Sequence, residues 1–299
     1  MHIQKILFVF SLTFIVFKVN SQSVDLFAEK YNGQSSNIIT ATFKSTRVVN
    51  GQSIENVGTG IMDFRISHRF GAISQGSYNL FGLDQATMRI GLDYGITNRL
   101  MIGVGRSTYE KQYDGFLKYK IIQQQDGERY IPFGISYVAS SIYKTLKDPS
   151  TSYVPYASDR FSFAHQILIA SKINDFVSVQ LTPTLVHYNL VENNTIPNDF
   201  KSIGISSRIR LSKRVNVTSE YFHRIDKLAG YYNPLSLGID IETGGHVFQL
   251  HVSNSNGMTE RTFINETTGS WAKGDLCFGF NITRAFTIKK PKELRGIKW

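Results

Sequence analysis

Cysteine is almost absent: Cys277 is the only one. No internal disulfide can brace the fold, and no thiolate-rich metal site can form. Cys277 falls in the strand-like run Leu276–Ile282 and is expected to be a buried small residue. Proline is scarce, with 7 residues, so little interrupts long strands. After residue 21 every apolar run is broken by a polar residue within a few positions, short of the roughly 20 residues of a spanning helix. No segment shows sustained helical periodicity. The seven histidines have no paired ligand spacing, so no metal and no cofactor are expected. Acidic residues number 23 against 33 basic, a net charge of +10.

The first residues set the compartment. Lys5 precedes an apolar stretch, Ile6–Phe17, interrupted only by Ser11 and Thr13, and Lys18-Val19-Asn20-Ser21 then ends on a small residue. Such an order marks an export signal, expected to be cleaved near Ser21. The stretch is too short for a transmembrane anchor. Removing Lys5 and Lys18 leaves 31 basic against 23 acidic residues, a mature net charge of +8. An exported chain with scattered basic residues is not a nucleic-acid binder; its excess suits a membrane surface or anionic solutes.

What the mature chain has in quantity is period-two alternation, with 24 Gly, 15 Tyr and 21 Phe. Met62, Phe64, Ile66, His68 and Phe70 alternate with Asp63, Arg65, Ser67 and Arg69. Met88, Ile90, Leu92 and Tyr94 alternate with Thr87, Arg89, Gly91 and Asp93. Later runs repeat the pattern: Ile203, Ile205 and Ile209; Leu235, Leu237 and Ile239; Phe248, Leu250 and Val252. A polar face bearing charge opposite an apolar one fits lipid outside and water inside. The expected fold class is all-β: a transmembrane antiparallel up-and-down β-barrel. Its strands are expected near 58–70, 86–95, 99–109, 112–123, 130–142, 159–172, 176–190, 200–212, 214–225, 234–242, 245–254 and 272–284. Long and short connections alternate, as extracellular loops and periplasmic turns do, except at the short loop after Tyr109 and the longish 124–129. Twelve strands put both ends in the periplasm; ten or fourteen remain compatible with the pattern. Segment Ile38–Val49 also alternates, but counting it would make thirteen. The expected organisation is a signal peptide at 1–21, a periplasmic or lumen-inserted lead at 22–57, the barrel at 58–284 and a basic periplasmic tail at 285–299.

Several motifs are distinctive: Asp63-Phe64-Arg65-Ile66-Ser67-His68-Arg69-Phe70-Gly71, Leu80-Phe81-Gly82-Leu83-Asp84, the run Arg89–Leu100, and Tyr113-Asp114-Gly115-Phe116-Leu117-Lys118-Tyr119-Lys120. The chain resembles, over nearly its whole mature length, an uncharacterised β-barrel family of Bacteroidota outer membranes. The resemblance implies fold and location, but no reaction and no catalytic residues.

Alternation assigns Asp63, Arg65, Arg69, Arg89, Asp93, Lys118, Lys120, Arg208, Arg210, Glu220, Arg224, Asp240 and Glu242 to the lumen. Two readings follow. The charges line an open, anion-leaning pore, or they staple a closed barrel by ion pairs across the interior. The functional expectation is a porin-like, passive or ligand-gated conduit for small polar or anionic solutes, partnered by outer-membrane lipid. An alternative is a non-conducting partner of a periplasmic or cell-surface complex, using loops 143–158 and 255–271. A third is an outer-membrane lipid hydrolase, for which His187 and Asn189 supply half a triad but no serine stands out; the chain is expected not to be an enzyme. His68, on the apolar face near the outer end, is expected at the interface rather than in a metal site. Gly103-Val104-Gly105 lies within a strand and lacks the rest of a phosphate loop. Asn193-Asn194-Thr195 and Asn265-Glu266-Thr267 are read only as loops.

Overall fold

The computed structural model describes residues 38–127, 129–147, 156–191, 193 and 195–289. The signal peptide, the first part of the lead, most of the basic tail, part of loop 143–158 and the centre of Asn193-Asn194-Thr195 lie outside these residues.

Twelve antiparallel strands close into a barrel in simple up-and-down order. They are β1 Ile61–Ala72, β2 Ala86–Gly95, β3 Leu100–Ser107, β4 Gln112–Ile122, β5 Gly134–Lys144, β6 Phe161–Lys172, β7 Val177–Tyr188, β8 Asp199–Arg210, β9 Val215–Arg224, β10 Leu235–Thr243, β11 His246–Ser253 and β12 Cys277–Thr287. The seam is the β1–β12 ladder, running from Ile61↔Thr287 to Ala72↔Cys277. Closure leaves no open edge, so every strand's backbone groups pair with a neighbour. Among the described residues no helix is long and apolar enough to cross a membrane; the strands cross instead.

The first strand begins at Ile61 rather than 58, because Gly58–Gly60 turns the chain: the Ile61 amide donates to Gly58 O, and Gly60 has φ +76°. The last strand runs from Cys277 to Thr287, shifted along from 272–284 because Trp271–Lys273 forms a short 3-10 turn before it. Segment Ile38–Val49 does not join the sheet. Near its start Ile38 bridges Gln125 and the Ile39 amide donates to Gln124 O, both in the connection 123–133 rather than in a strand.

Connections 96–99, 173–176, 211–214 and 244–245 are tight and share an end with both barrel termini; this is the turn end. The opposite, loop end carries 73–85, 145–160, 189–198, 225–234 and 254–276. Exceptions are the short 108–111 at the loop end and the longer 123–133 at the turn end.

Side chains alternate in burial along every strand, and the sense is inverted from a soluble domain. Ile90, Leu92, Ile102, Val104, Ile203, Ile205, Leu237, Ile239 and Leu250 are exposed, while charged residues are buried. An apolar belt around the whole circumference needs lipid to cover it. Phe70, Tyr113, Tyr143 and Phe161 stand near its loop-end rim, and Tyr94, Tyr119, Phe176 and Phe248 near its turn-end rim. His68 stacks on Phe280, with ring centroids 4.8 Å apart, and meets Phe70 edge-on at 4.5 Å.

Leu250 sits at mid-height between Ile239 and Phe280. Leu250→Arg is expected to cost roughly 2–4 kcal/mol, and Phe286→Arg at the rim about 0–1 kcal/mol. Urea unfolding from lipid vesicles measures both; equal costs at the two depths would refute the lipid-facing belt.

Candidate functional site

The barrel interior is occupied. Residues 42–57 enter from the turn end and fold into a hairpin that is buried on all sides. The Val48 amide donates to Gly51 O at 2.8 Å, the Ser53 amide to Thr46 O at 3.0 Å, and Arg47 bridges Gln52. The tip is therefore Val49-Asn50.

A hairpin without neighbouring strands must find other partners for its backbone. Wall side chains supply them. Glu220 accepts from three successive amides at the tip, Val49 (3.1 Å), Asn50 (2.8 Å) and Gly51 (2.9 Å). The Lys118 ammonium donates to three carbonyls, Thr46 (3.0 Å), Ser53 (2.9 Å) and Glu55 (2.9 Å). Gln249 Nε2 donates to Val48 O, Asn281 Nδ2 to Val49 O and Gln180 Nε2 to Gln52 O. These partners stand on β4, β7, β9, β11 and β12. The other face of the hairpin is apolar: Phe43, Val48, Ile54 and Val57 pack on Met101, Phe116, Val138, Leu168 and Ala170.

A second element fills the loop end. Between β11 and β12 the chain folds inward, with a single π-helical turn at Arg261–Asn265. Phe263 and Ile264 pack on Phe222. Glu260 pairs with Arg47 of the hairpin at 3.2 Å, so the two inserts meet inside the barrel. Arg261 pairs with Glu266 at 2.9 Å and lies over the Tyr188 ring. Burial pushes the Glu266 carboxyl above its usual range, although Arg261 opposes the shift. Asn265 and Thr267 are buried within this insert. A cleft of about 90 Å³, lined by Thr42, Ile54, Glu55, Lys120, Gln124 and Gly134, lies at the base of the hairpin near the turn end.

The charged residues of the alternating faces are placed as follows. Arg65 bonds Ser45 Oγ of the hairpin. Arg69 donates to Asn50 Oδ1 (2.7 Å) and to Asn281 Oδ1 (3.2 Å). Asp93 accepts from Thr46 Oγ1 at 2.9 Å, and Asp63 is its cross-strand partner. Lys120 and Glu242 lie toward the turn end and pair with the hairpin's Glu55 (3.8 Å) and Lys44 (2.8 Å). Arg208 donates to Ser178 Oγ, Arg224 to Asn265 O of the inward loop, and Asp240 accepts from Gln249. Arg210 is half-exposed at the rim and bonds Ser212 O in the β8–β9 turn. Arg89 forms a wall-to-wall ion pair with Asp114, a residue absent from the expected set. Asp114 shares the parity of Lys118 and Lys120, so the signal was present. The hairpin's Arg47 and Glu55 and the loop's Glu260 had no such signal: Arg47 lies in an alternating run outside the twelve strands, and Glu55 and Glu260 lie in none.

His187 points outward and its Nδ1 lies 2.8 Å from Asp199 Oδ1, while Asn189 donates to Ser158 O. Among the described residues no serine is hydrogen-bonded to His187, so the two residues are not assembled into a triad. Among the described residues no group of three His, Cys, Asp or Glu is placed to hold a metal ion.

A family described as a membrane-bound β-barrel domain, DUF5777, matches residues 43–286. That span includes the hairpin as well as the wall. No curated protein matches the chain. Solved structures with a similar outline include the NanC porin (6% identity, 75% of this chain and 98% of that one, TM-score 0.48). The KdgM porin follows at 9% identity, 76% and 99% coverage and TM-score 0.46. Omp33 of Acinetobacter baumannii has 7% identity, 75% and 97% coverage and TM-score 0.43.

Proposed function

The chain belongs to the DUF5777 family of membrane-bound β-barrels, and from that premise we propose an outer-membrane, porin-like conduit for small polar solutes that its own N-terminal hairpin holds shut. One observation carries this reading: the twelve-strand ladder closes without any backbone pairing from the hairpin. The hairpin is held by side chains of the wall, and a wall complete in itself can stand when the hairpin leaves.

The wall's chemistry supports the same reading. Ser136, Ser140, Ser162 and Ser202 turn hydroxyls into the interior where no protein group partners them. A buried polar group without a partner costs about 1–3 kcal/mol. Such a lining suits contact with water better than burial in a packed interior. Polar and charged walls around an interior of intermediate width are what a conduit for small polar solutes needs. The reading assigns no reaction to the chain. The short-turn end, through which the hairpin enters, is then periplasmic.

Planar-bilayer recording tests it. The full chain is expected to be silent or nearly so, and a chain lacking residues 42–56, alone or together with the inward turn 257–268, to show discrete conductance steps. Intact β-sheet circular dichroism and resistance to SDS at room temperature establish that the shortened barrel has formed. A formed, shortened barrel that conducts no better than the full chain would overturn the conduit and leave a structural or interaction role in a periplasmic or surface complex.

A further inference from the structure

Three wall cations stand out by what they bond. Arg65, Arg69 and Lys118 are 2%, 1% and 0% exposed, and none forms an ion pair among the described residues. Their acceptors are neutral oxygens: Ser45 Oγ for Arg65; Asn50 Oδ1, Asn281 Oδ1 and His68 O for Arg69; and the Thr46, Ser53 and Glu55 carbonyls for Lys118. Asn281 and His68 belong to the wall and the other five to the hairpin. The Nε atoms of Arg65 and Arg69 have no protein partner. The wall does neutralise a cation elsewhere, since Arg89 has Asp114. Carboxylates lie near the three without an ion pair: Asp63 and Asp93 near Arg65, Glu220 near Arg69, and Asp93 and Glu55 near Lys118. Asp93 is taken by Thr46 and Glu220 by the hairpin tip.

Neutral oxygens are weak partners for buried cations. Hydrogen bonds to an ionised acceptor are roughly twice as strong as neutral ones. A guanidinium also presents paired donors that fit a carboxylate or phosphate better than a lone hydroxyl. The hairpin therefore fills these donors without satisfying their charge.

We propose that Arg65 and Arg69, separated only by Ser67 on the inward face of β1, form a binding site for a multivalent oxyanion, carrying carboxylate or phosphate groups, which competes with the hairpin for the same donors. This rests on the conduit reading and names both its solute class and its opening signal. The anion binds only the hairpin-free state, so it shifts the population toward that state by its differential affinity.

Cys277 is the only cysteine, which makes the test direct. In a Cys277→Ser background, Val48→Cys reports the hairpin; Val48 is buried against the apolar wall and makes no side-chain contact with the three cations. Val57→Cys serves if the first variant does not fold. The rate of modification by a water-soluble maleimide is measured in pyrophosphate, citrate or NaCl at equal ionic strength. Pyrophosphate and citrate are expected to raise the rate on the order of tenfold over NaCl, a shift of about 1.4 kcal/mol in the hairpin equilibrium. In Arg65→Gln/Arg69→Gln the ratio between anion and NaCl is expected to fall toward one, even if the rate in NaCl rises. Equal rates in all three salts, or an unchanged ratio in the double variant, would overturn the site. The outcomes separate from the earlier test. Salt-independent labelling in a barrel whose shortened form conducts removes the anion site alone, whereas a silent shortened barrel removes the conduit whatever the labelling shows.

Discussion

Glu220→Gln and Lys118→Met are each expected to turn a nearly silent barrel into one that opens often. Glu220 holds the hairpin tip by three amide donors, and Lys118 holds its arms by three carbonyl acceptors. Hydrogen bonds to charged groups contribute about 1.5–3 kcal/mol each, and bonds that share one atom do not add fully. Glutamine keeps the volume but turns an NH2 toward amides that are themselves donors. Methionine offers the three carbonyls nothing. Each change is expected to weaken the closed state by roughly 2–4 kcal/mol, and every 1.4 kcal/mol is a factor of ten in the ratio of closed to open. Open probability in single-channel records should rise by roughly 30- to 1,000-fold. Both groups regain water when the hairpin leaves, so the open state loses little. Unchanged open probability in both variants would mean that the hairpin is a fixed part of the wall.

The second large effect concerns the wall itself. Arg89 reaches from β2 across β3 to Asp114 on β4, with Nε 2.9 Å from Oδ1, and both side chains are almost fully buried. The path crosses Gly105, where an added Cβ would collide with the guanidinium. Removing one partner of a buried pair strands the other charge at a cost of about 3–5 kcal/mol. Asp114→Asn and Arg89→Met should each destabilise the barrel by that order, read as a fall in the urea midpoint. The double variant Arg89→Met/Asp114→Leu should recover most of the loss, because no uncompensated charge remains. Gly105→Ala should resemble the single variants, since it displaces the guanidinium rather than deleting it. A double variant as unstable as the sum of the singles would show that the pair is not coupled.

The wall was legible in the sequence because each strand declares itself locally. Phe64-Arg65-Ile66 can satisfy both lipid and interior in only one orientation, and a slip of one residue would bury the wrong set. Parity correctly kept Ile38–Val49 out of the ladder. A lumen-inserted lead was one of two readings of residues 22–57, but how it is held there, and the inward loop that joins it, were not legible. Residues Phe43, Ser45 and Arg47 alternate as a strand does, and their true partners, the apolar wall around Met101 and Phe116, Arg65 and Glu260, lie elsewhere in the chain with no local trace. The inward course of 254–270 is set likewise by Arg47, Tyr188 and Phe222. Asp114 was within reach by parity and completes the Arg89 pair.

The link Gly58–Gly60 joins the hairpin directly to β1. A released hairpin therefore cannot diffuse away. Its local concentration at the mouth stays in the millimolar range set by a short tether. Re-entry is a first-order event that does not slow on dilution, and opening should appear as brief, flickering bursts whose length depends on what occupies the vacated donors.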